Sequence, residues 1–205
     1  MGVAYAKVED CIDIVPALGV VHEESNEMQA ALTQSLYDAS RVFESDVFAP
    51  EDYFAAAGED YTSRYFYSNG TQFVRIHPYV SIRYIRDADN EIVDAHNYQI
   101  YSSNVYQPTG YYLKWHYPPF LFGGCGSWLR YTQFTISARW GFKCTPPDVV
   151  VAVKNLGCLM FLVNPLNRLG QNDGLTSNQE QRLRNTYNRV TNSWQQKFRH
   201  FELGL

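Results

Sequence analysis

Catalytic chemistry in a protein chain begins with a nucleophile, a base or a metal ligand set at a usable spacing. The one thiol–imidazole combination close in sequence is Cys125 with His116, a nucleophile and base in principle. Cys125 sits in the run Gly123-Gly124-Cys125-Gly126, where a cysteine reads as a small tolerated residue, and no neighbouring cation lowers its pKa. His22-Glu23-Glu24 is not the H-E-x-x-H of a zinc hydrolase, and the histidines at 22, 77, 96, 116 and 200 have no ligand spacing. Cys11, Cys125, Cys144 and Cys158 form no C-x-x-C pair, so they read as reduced thiols without a metal. There is no phosphate-binding G-x-x-x-x-G-K-[ST] or G-x-G-x-x-G, and no G-x-S-x-G elbow. Paired carboxylates of a glycosidase are tested by separation in space, which a sequence does not give. The expectation is a protein without catalysis, metal or cofactor.

The elements around these residues are legible from periodicity. Met28, Leu32, Leu36, Ala39 and Phe43 recur at helical spacing, with Asn26 and Gln29 as a capping box at the start. A short helix is allowed around Val8–Val15, and another over Pro50–Ala57, with Gly58 after its end. From Thr62 to Trp140 the period becomes two. Phe73–Ile76, Val80–Ile85, Tyr98–Tyr101, Gly110–Trp115 and Arg130–Trp140 read as strands separated by Ser68-Asn69-Gly70, Asp87-Ala88-Asp89-Asn90 and Gln107-Pro108-Thr109-Gly110. Thr145, Pro146, Pro147 and Asp148 open an almost wholly apolar helix through Val149–Val163. That run is shorter than the roughly 20 residues of a membrane span. Ser177 and Glu180 suggest a second capping box, followed by the stripe Leu183, Tyr187, Val190, Trp194 and Phe198. No basic-then-apolar leader opens the chain, so secretion is not expected.

The fold expected is therefore α+β: a small helical bundle, one N-terminal and two C-terminal helices, with an inserted antiparallel β-sheet or sandwich. The frame covers 26–60 and 141–198, the insertion 62–140, and 199–205 is a short tail. The whole of 1–205 is read as one folded unit.

Composition narrows the partners. The net charge is −4, which is no global footprint for nucleic acid. Thirteen acids precede residue 61 against only Lys7 and Arg41, whereas the C-terminal helix carries Arg182, Arg184, Arg189, Lys197 and Arg199. One reading is a solvated helix face at each end. The other is a pairing of like copies, acidic on basic, with Glu44 and Asp46 facing Arg182 and Arg189. Aromatic residues make up 16% of the chain, including 16 Tyr, a composition that suits interfaces and sugar platforms alike.

Three stretches resemble the head-tail connector (adaptor, head completion) proteins of tailed phages. They are the helix end Ala39-Ser40-Arg41-Val42-Phe43; the run Thr62–Tyr67, Phe73–Ile76 and Val80–Asp87; and the junction Ala138-Arg139-Trp140-Gly141-Phe142 with Pro146-Pro147-Asp148-Val149-Val150 and Ala152. The resemblance implies a structural adaptor of the virion neck, assembled in the host cytoplasm. It implies a homo-oligomeric ring of about twelve copies under the portal protein, closed by heterologous contacts. A stopper or tail protein docks below, and DNA passes through the lumen without sequence-specific binding. An acidic lumen would avoid gripping that DNA. The family's C-terminal segment reaches the portal, which points here to Arg199, His200, Phe201 and Leu203. Two other readings compete. One is a sugar-binding tail or decoration module with Tyr111, Tyr112, Trp115, Tyr117, Trp128 and Trp140 as a stacking platform. The other is a neighbouring neck ring, a stopper or tail terminator.

Overall fold

A computed structural model describes residues 3–11, 26–67, 73–101, 111–115, 133–163 and 176–203; at 26–28, 73, 75, 101, 111, 112, 114, 115 and 199–203 it describes the backbone alone. The architecture is α+β. Where the sequence reads as one folded unit, the backbone gathers into two compact units, each with its own core. A helical unit comprises 1–55 and 145–205, and a β unit comprises 56–144.

The helical unit contains α1 (Val8–Cys11), α2 (Asn26–Asp46), α3 (Pro147–Val163) and α4 (Ser177–Leu203). The apolar stripe of α2 is buried as its spacing predicts, at Leu32, Leu36, Ala39 and Phe43. α3 buries Val149, Ala152, Val153, Cys158, Leu159 and Phe161 and packs on both α2 and α4. Each valine, leucine or phenylalanine side chain so removed from water contributes about 1.5–3 kcal/mol. The approach of α2 to α3 depends on Gly157, where an added Cβ would lie 2.6 Å from Leu36 Cδ2 and 3.2 Å from its Cα. α4 buries Tyr187, Val190, Trp194 and Phe198. Among the described residues, no helix is long and apolar enough to cross a membrane.

The helix ends differ from expectation in four places. α2 runs to Asp46 and closes in a Schellman motif: Ala49 N–H donates to Glu44 C=O (2.9 Å) and Phe48 N–H to Ser45 C=O (3.2 Å). Phe48 holds the left-handed position at φ 60, where glycine is usual. Residues 50–57 are not a helix. Asp52 stands at φ 57, and Tyr53 N–H turns back to Pro50 C=O (3.2 Å), so the backbone reverses before a helical turn forms. The box at the start of α4 is Thr176 with Gln179, one residue before the expected pair. Thr176 N–H donates to Gln179 Oε1 (2.9 Å), and Gln179 N–H points back at Thr176 Oγ1 (3.4 Å). Glu180 instead holds Arg184 at 2.8 Å. The expected tail is helix as far as Leu203, because no breaker occurs before Gly204. The side chain of Asn26, and with it the Asn26–Gln29 box, is not described, and residues 164–175 lie outside the described residues.

The β unit holds two three-stranded antiparallel sheets. One has the order β1 (Thr62–Tyr67), β6 (Gln133–Trp140), β3 (Tyr79–Arg86); the other β2 (Phe73–Ile76), β5 (Tyr111–Trp115), β4 (Tyr98–Tyr101). One core joins them: Phe66, Ile85, Phe134, Ile136, Ala138 and Trp140 from the first, Val74, Ile76 and Leu113 from the second. Alternation along β6 sends every second residue inward from Phe134 to Trp140, as its period of two predicts. Asp87 Oδ1 accepts from the N–H groups of Asp89 (3.0 Å) and Glu91 (2.9 Å), and Asn90 at φ 66 completes that turn.

Because the Cβ of residue 157 would meet backbone as well as side chain, Gly157→Ala should cost about 1–3 kcal/mol. Urea unfolding followed by far-ultraviolet circular dichroism measures this, and an unchanged midpoint would mean that the helices part without cost.

Candidate interaction surfaces

Among the described residues, no three His, Cys, Asp or Glu side chains gather where they could hold a metal ion. The polar chemistry of the helical unit is concentrated instead in a knot around Arg41. Its Nη2 donates to Asp52 Oδ1 (3.0 Å) and to Val3 C=O (3.0 Å), and its Nη1 lies 3.0 Å from Glu44 Oε2 and 3.3 Å from Glu51 Oε1. The Glu44 contact is an ion pair without hydrogen-bond alignment. Tyr5 OH donates to Glu44 and accepts from Phe54 N–H (3.2 Å), while Tyr5 N–H donates to Ser40 Oγ (3.0 Å). Glu44 also accepts from Tyr53 N–H (3.2 Å). One guanidinium thus ties the first residues, α2 and the 50–54 turn together.

These contacts relocate two residues that the charge pattern assigns to a neighbouring copy. Glu44 is only 3% exposed and is used inside the chain. Burial raises its pKa despite the hydrogen bond from Tyr5 and the charge of Arg41. Burial and the Glu44 contact push the Tyr5 phenol far up as well. Asp46 is half-buried and faces α4: Tyr187 OH donates to its carboxylate (2.6 Å), and Gln195 Nε2 to its backbone C=O (2.7 Å). Burial, with the Asp46 contact second, raises the Tyr187 pKa. Arg182 and Arg189 are exposed on α4 with no ion-pair partner among the described residues. They remain available to a partner; the proposed mates Glu44 and Asp46 do not. Arg199, His200, Phe201 and Leu203 form the last turn of α4, and their side chains are not described.

Trp194 and Phe198 lie inward. Phe54 packs against Trp194 (ring centroids 4.9 Å), Phe43 (5.5 Å), Tyr5 (5.8 Å) and Phe198 (6.4 Å). Trp194 Nε1 donates to Asp148 Oδ2 (2.9 Å), while Asp148 Oδ1 accepts from Val149 N–H (3.0 Å) at the start of α3. Cys11 and Cys158 are buried side by side. The hydrogen bond that the Cys11 thiol donates to Cys158, with burial, raises the Cys11 pKa and makes that thiol unreactive, whereas Cys144 is exposed.

In the β unit the proposed sugar platform loses one member. Trp140 is in the core, with its indole N–H on Thr62 C=O (2.8 Å) and the Arg64 guanidinium over its ring at 5.1 Å. The side chains of Tyr111, Tyr112 and Trp115 are not described, and Tyr117, Trp128, Cys125 and His116 lie outside the described residues. The aromatic surface that is present belongs to the other face of the β1-β6-β3 sheet. Cross-strand pairing sets Ser63, Ser137 and Tyr84 in one row and Tyr65, Thr135 and Arg86 in the next. Tyr65 is 66% and Tyr67 58% exposed. The hydroxyls of Ser63 and Ser137 hydrogen-bond the Tyr84 phenol and lower its pKa, and Arg86 lies 5.0 Å from the centre of the Tyr84 ring. Arg86, paired with Thr135, and Arg139, paired with Ser81, share this face, whereas Arg64 pairs with Ile136 and turns to Trp140 on the core side. The sequence analysis did not single out this face. The signal was present in the alternation of Ser63, Tyr65 and Tyr67 around Phe66.

No protein-family model matches the chain, and no curated protein matches it.

A carboxyl whose folded pKa is raised stabilises the fold fully below its unfolded value, near 4.5, and loses that contribution as pH rises through the folded value. The stability of the wild type relative to Glu44→Gln should therefore fall as pH rises above about 4.5. Urea unfolding of both proteins on either side of that pH tests this, and a constant difference would refute it. Separately, in a Cys125→Ala background Cys144 should react with a thiol reagent within seconds, with Cys11 and Cys158 protected until the chain unfolds.

Proposed function

We propose that this chain is a structural head-to-tail adaptor of a tailed phage. Copies form a ring under the portal, extend the DNA channel and present a platform for a stopper or tail protein. The activity is assembly, and no bond is made or broken. The observation that carries the reading is the junction that leads out of the β unit and into the helical unit. Trp140 closes the strand with its indole bonded to Thr62; Gly141, at φ 117, takes a turn that other residues rarely adopt; Asp148 then caps α3 and receives Trp194. Of the residues that resemble the adaptor family, Trp140, Gly141 and Asp148 thus each have a physical task. The element order also fits: an amphipathic helix, an inserted β unit, an apolar helix and a long last helix.

A ring subunit has to present unlike faces to its two neighbours. Two features fit that demand. The helical unit holds fifteen Asp and Glu against nine Lys and Arg, and the β unit six against eight, so the two carry opposite charge. The last turn of α4 continues beyond Phe198, the last residue there known to be buried, and leaves Arg199, His200, Phe201 and Leu203 as the segment offered to the portal.

Negative-stain electron microscopy of the protein with its cognate portal should show rings of about twelve subunits with an open centre. Monomers that ignore the portal would overturn the reading. A chain ending at Phe198 should keep its melting temperature within a few degrees, because it retains the buried Tyr187, Val190, Trp194 and Phe198, yet fail to bind the portal. Normal portal binding by that truncated chain would remove the C-terminal turn from the interface.

A further inference from the structure

Two thiols from opposite ends of the chain meet in the helical unit. Cys11 ends α1, just after the residues held by the Arg41 knot, and Cys158 lies inside α3. Neither has any exposed surface. α1 packs on both α2 and α3, and the Cys11 thiol donates a hydrogen bond to Cys158. Sulfurs in hydrogen-bond contact are within a side-chain rotation of the roughly 2 Å separation of a disulfide.

A buried cysteine on its own is a small apolar residue and needs no further account. This pair differs because its two thiols are chemically unequal. The hydrogen bond from Cys11 lowers the Cys158 pKa against the cost of burial, and Lys154, one turn earlier on α3, lowers it again. The same contact raises the Cys11 pKa. Unequal thiols side by side are the arrangement in which one sulfur reacts first and the other resolves the product. Access depends on the first residues. Val3 and Tyr5 are held by Arg41, Asp52, Ser40 and Glu44, whereas α1 is a single turn, so lifting α1 costs less than unfolding the unit.

We infer that Cys11 and Cys158 are a redox pair that closes into a disulfide and staples the first residues of the chain to α3. The oxidant is a peroxide, small enough to reach a thiol in a closed site. The Cys158 sulfur takes one oxygen of hydrogen peroxide, the O–O bond breaks, and the hydroxide that leaves takes up the Cys158 proton. The Cys11 sulfur then attacks the sulfenic sulfur of Cys158. The S–O bond breaks, and the oxygen leaves as water with the Cys11 proton. Two thiols are oxidised to one disulfide and one peroxide is reduced to two waters. The staple is independent of the adaptor reading, and it holds the first residues in place even where the Arg41 knot lets go.

A Cys125→Ala, Cys144→Ala chain keeps this pair alone. Treated with hydrogen peroxide, it should lose the mass of two hydrogens and yield a peptide linking Cys11 to Cys158. It should also melt at least about 5 °C higher, since the linkage constrains a long stretch of unfolded chain. Cys158→Ser in the same background should show neither change. Free thiols or oxygenated sulfur after peroxide would overturn the peroxide reaction. A second measurement removes access as a barrier. Refolded from urea into a glutathione redox buffer, the chain should favour the intramolecular disulfide at least tenfold over the same chain held in urea. An equal or smaller preference would overturn the pair itself.

Discussion

The helical unit closes around one ring. Phe54 has no exposed surface and touches rings from residue 5, from α2 and from α4, so three separate parts of the chain share a single centre. Such aromatic pairs favour edge-to-face geometry, and the interplanar angles of 88° to Tyr5, 77° to Trp194 and 89° to Phe198 fit that preference. The turn over 50–55 is irregular for the same reason. A helix there would carry Phe54 around a cylinder, whereas the left-handed Asp52 aims it inward.

The Arg41 knot lies beside that centre and must be judged by its costs. Burying Glu44 takes a carboxylate out of water, and its raised pKa records that the exchange is unfavourable for the charged form. The knot holds because nearly every contact is shared. Tyr5 serves Glu44 and Phe54, Asp52 serves Arg41 and the N–H of Val3 (2.9 Å), and Arg41 serves four partners. Its contribution is to geometry more than to net stability, since it fixes residues 3–5 against α2 in one register.

Much of the fold was legible because periodicity survives without knowledge of partners. The stripe of α2, the apolar length of α3 and the alternation of β6 each follow from burial on one or all sides. What was hidden depended on contacts between residues distant in sequence. Pro50 to Gly58 carries good helix punctuation, and the demand of Phe54 for the core overrides it. Glu44 looked like surface because thirteen acids surround two bases; the scarcity of bases was the better clue, since a lone Arg41 among acids is where a buried ion pair would form. Trp140 looked like a platform because exposed and core tryptophans share the same strand alternation. The box of α4 slipped by one residue because Thr176-Ser177 and Gln179-Glu180 offer two caps of equal chemistry.

The same distinction between local and distant effects limits what net charge says about DNA. A chain total of −4 conceals a helical unit with six excess acids and a β unit with two excess bases. At physiological ionic strength charges are screened over about 8 Å, shorter than either unit, so DNA in a channel responds to the unit that lines it and not to the chain total. A lumen lined by the helical unit would repel the phosphates, and the helix could pass with little friction. A lumen lined by the β unit would hold them, because each neutralised phosphate adds affinity.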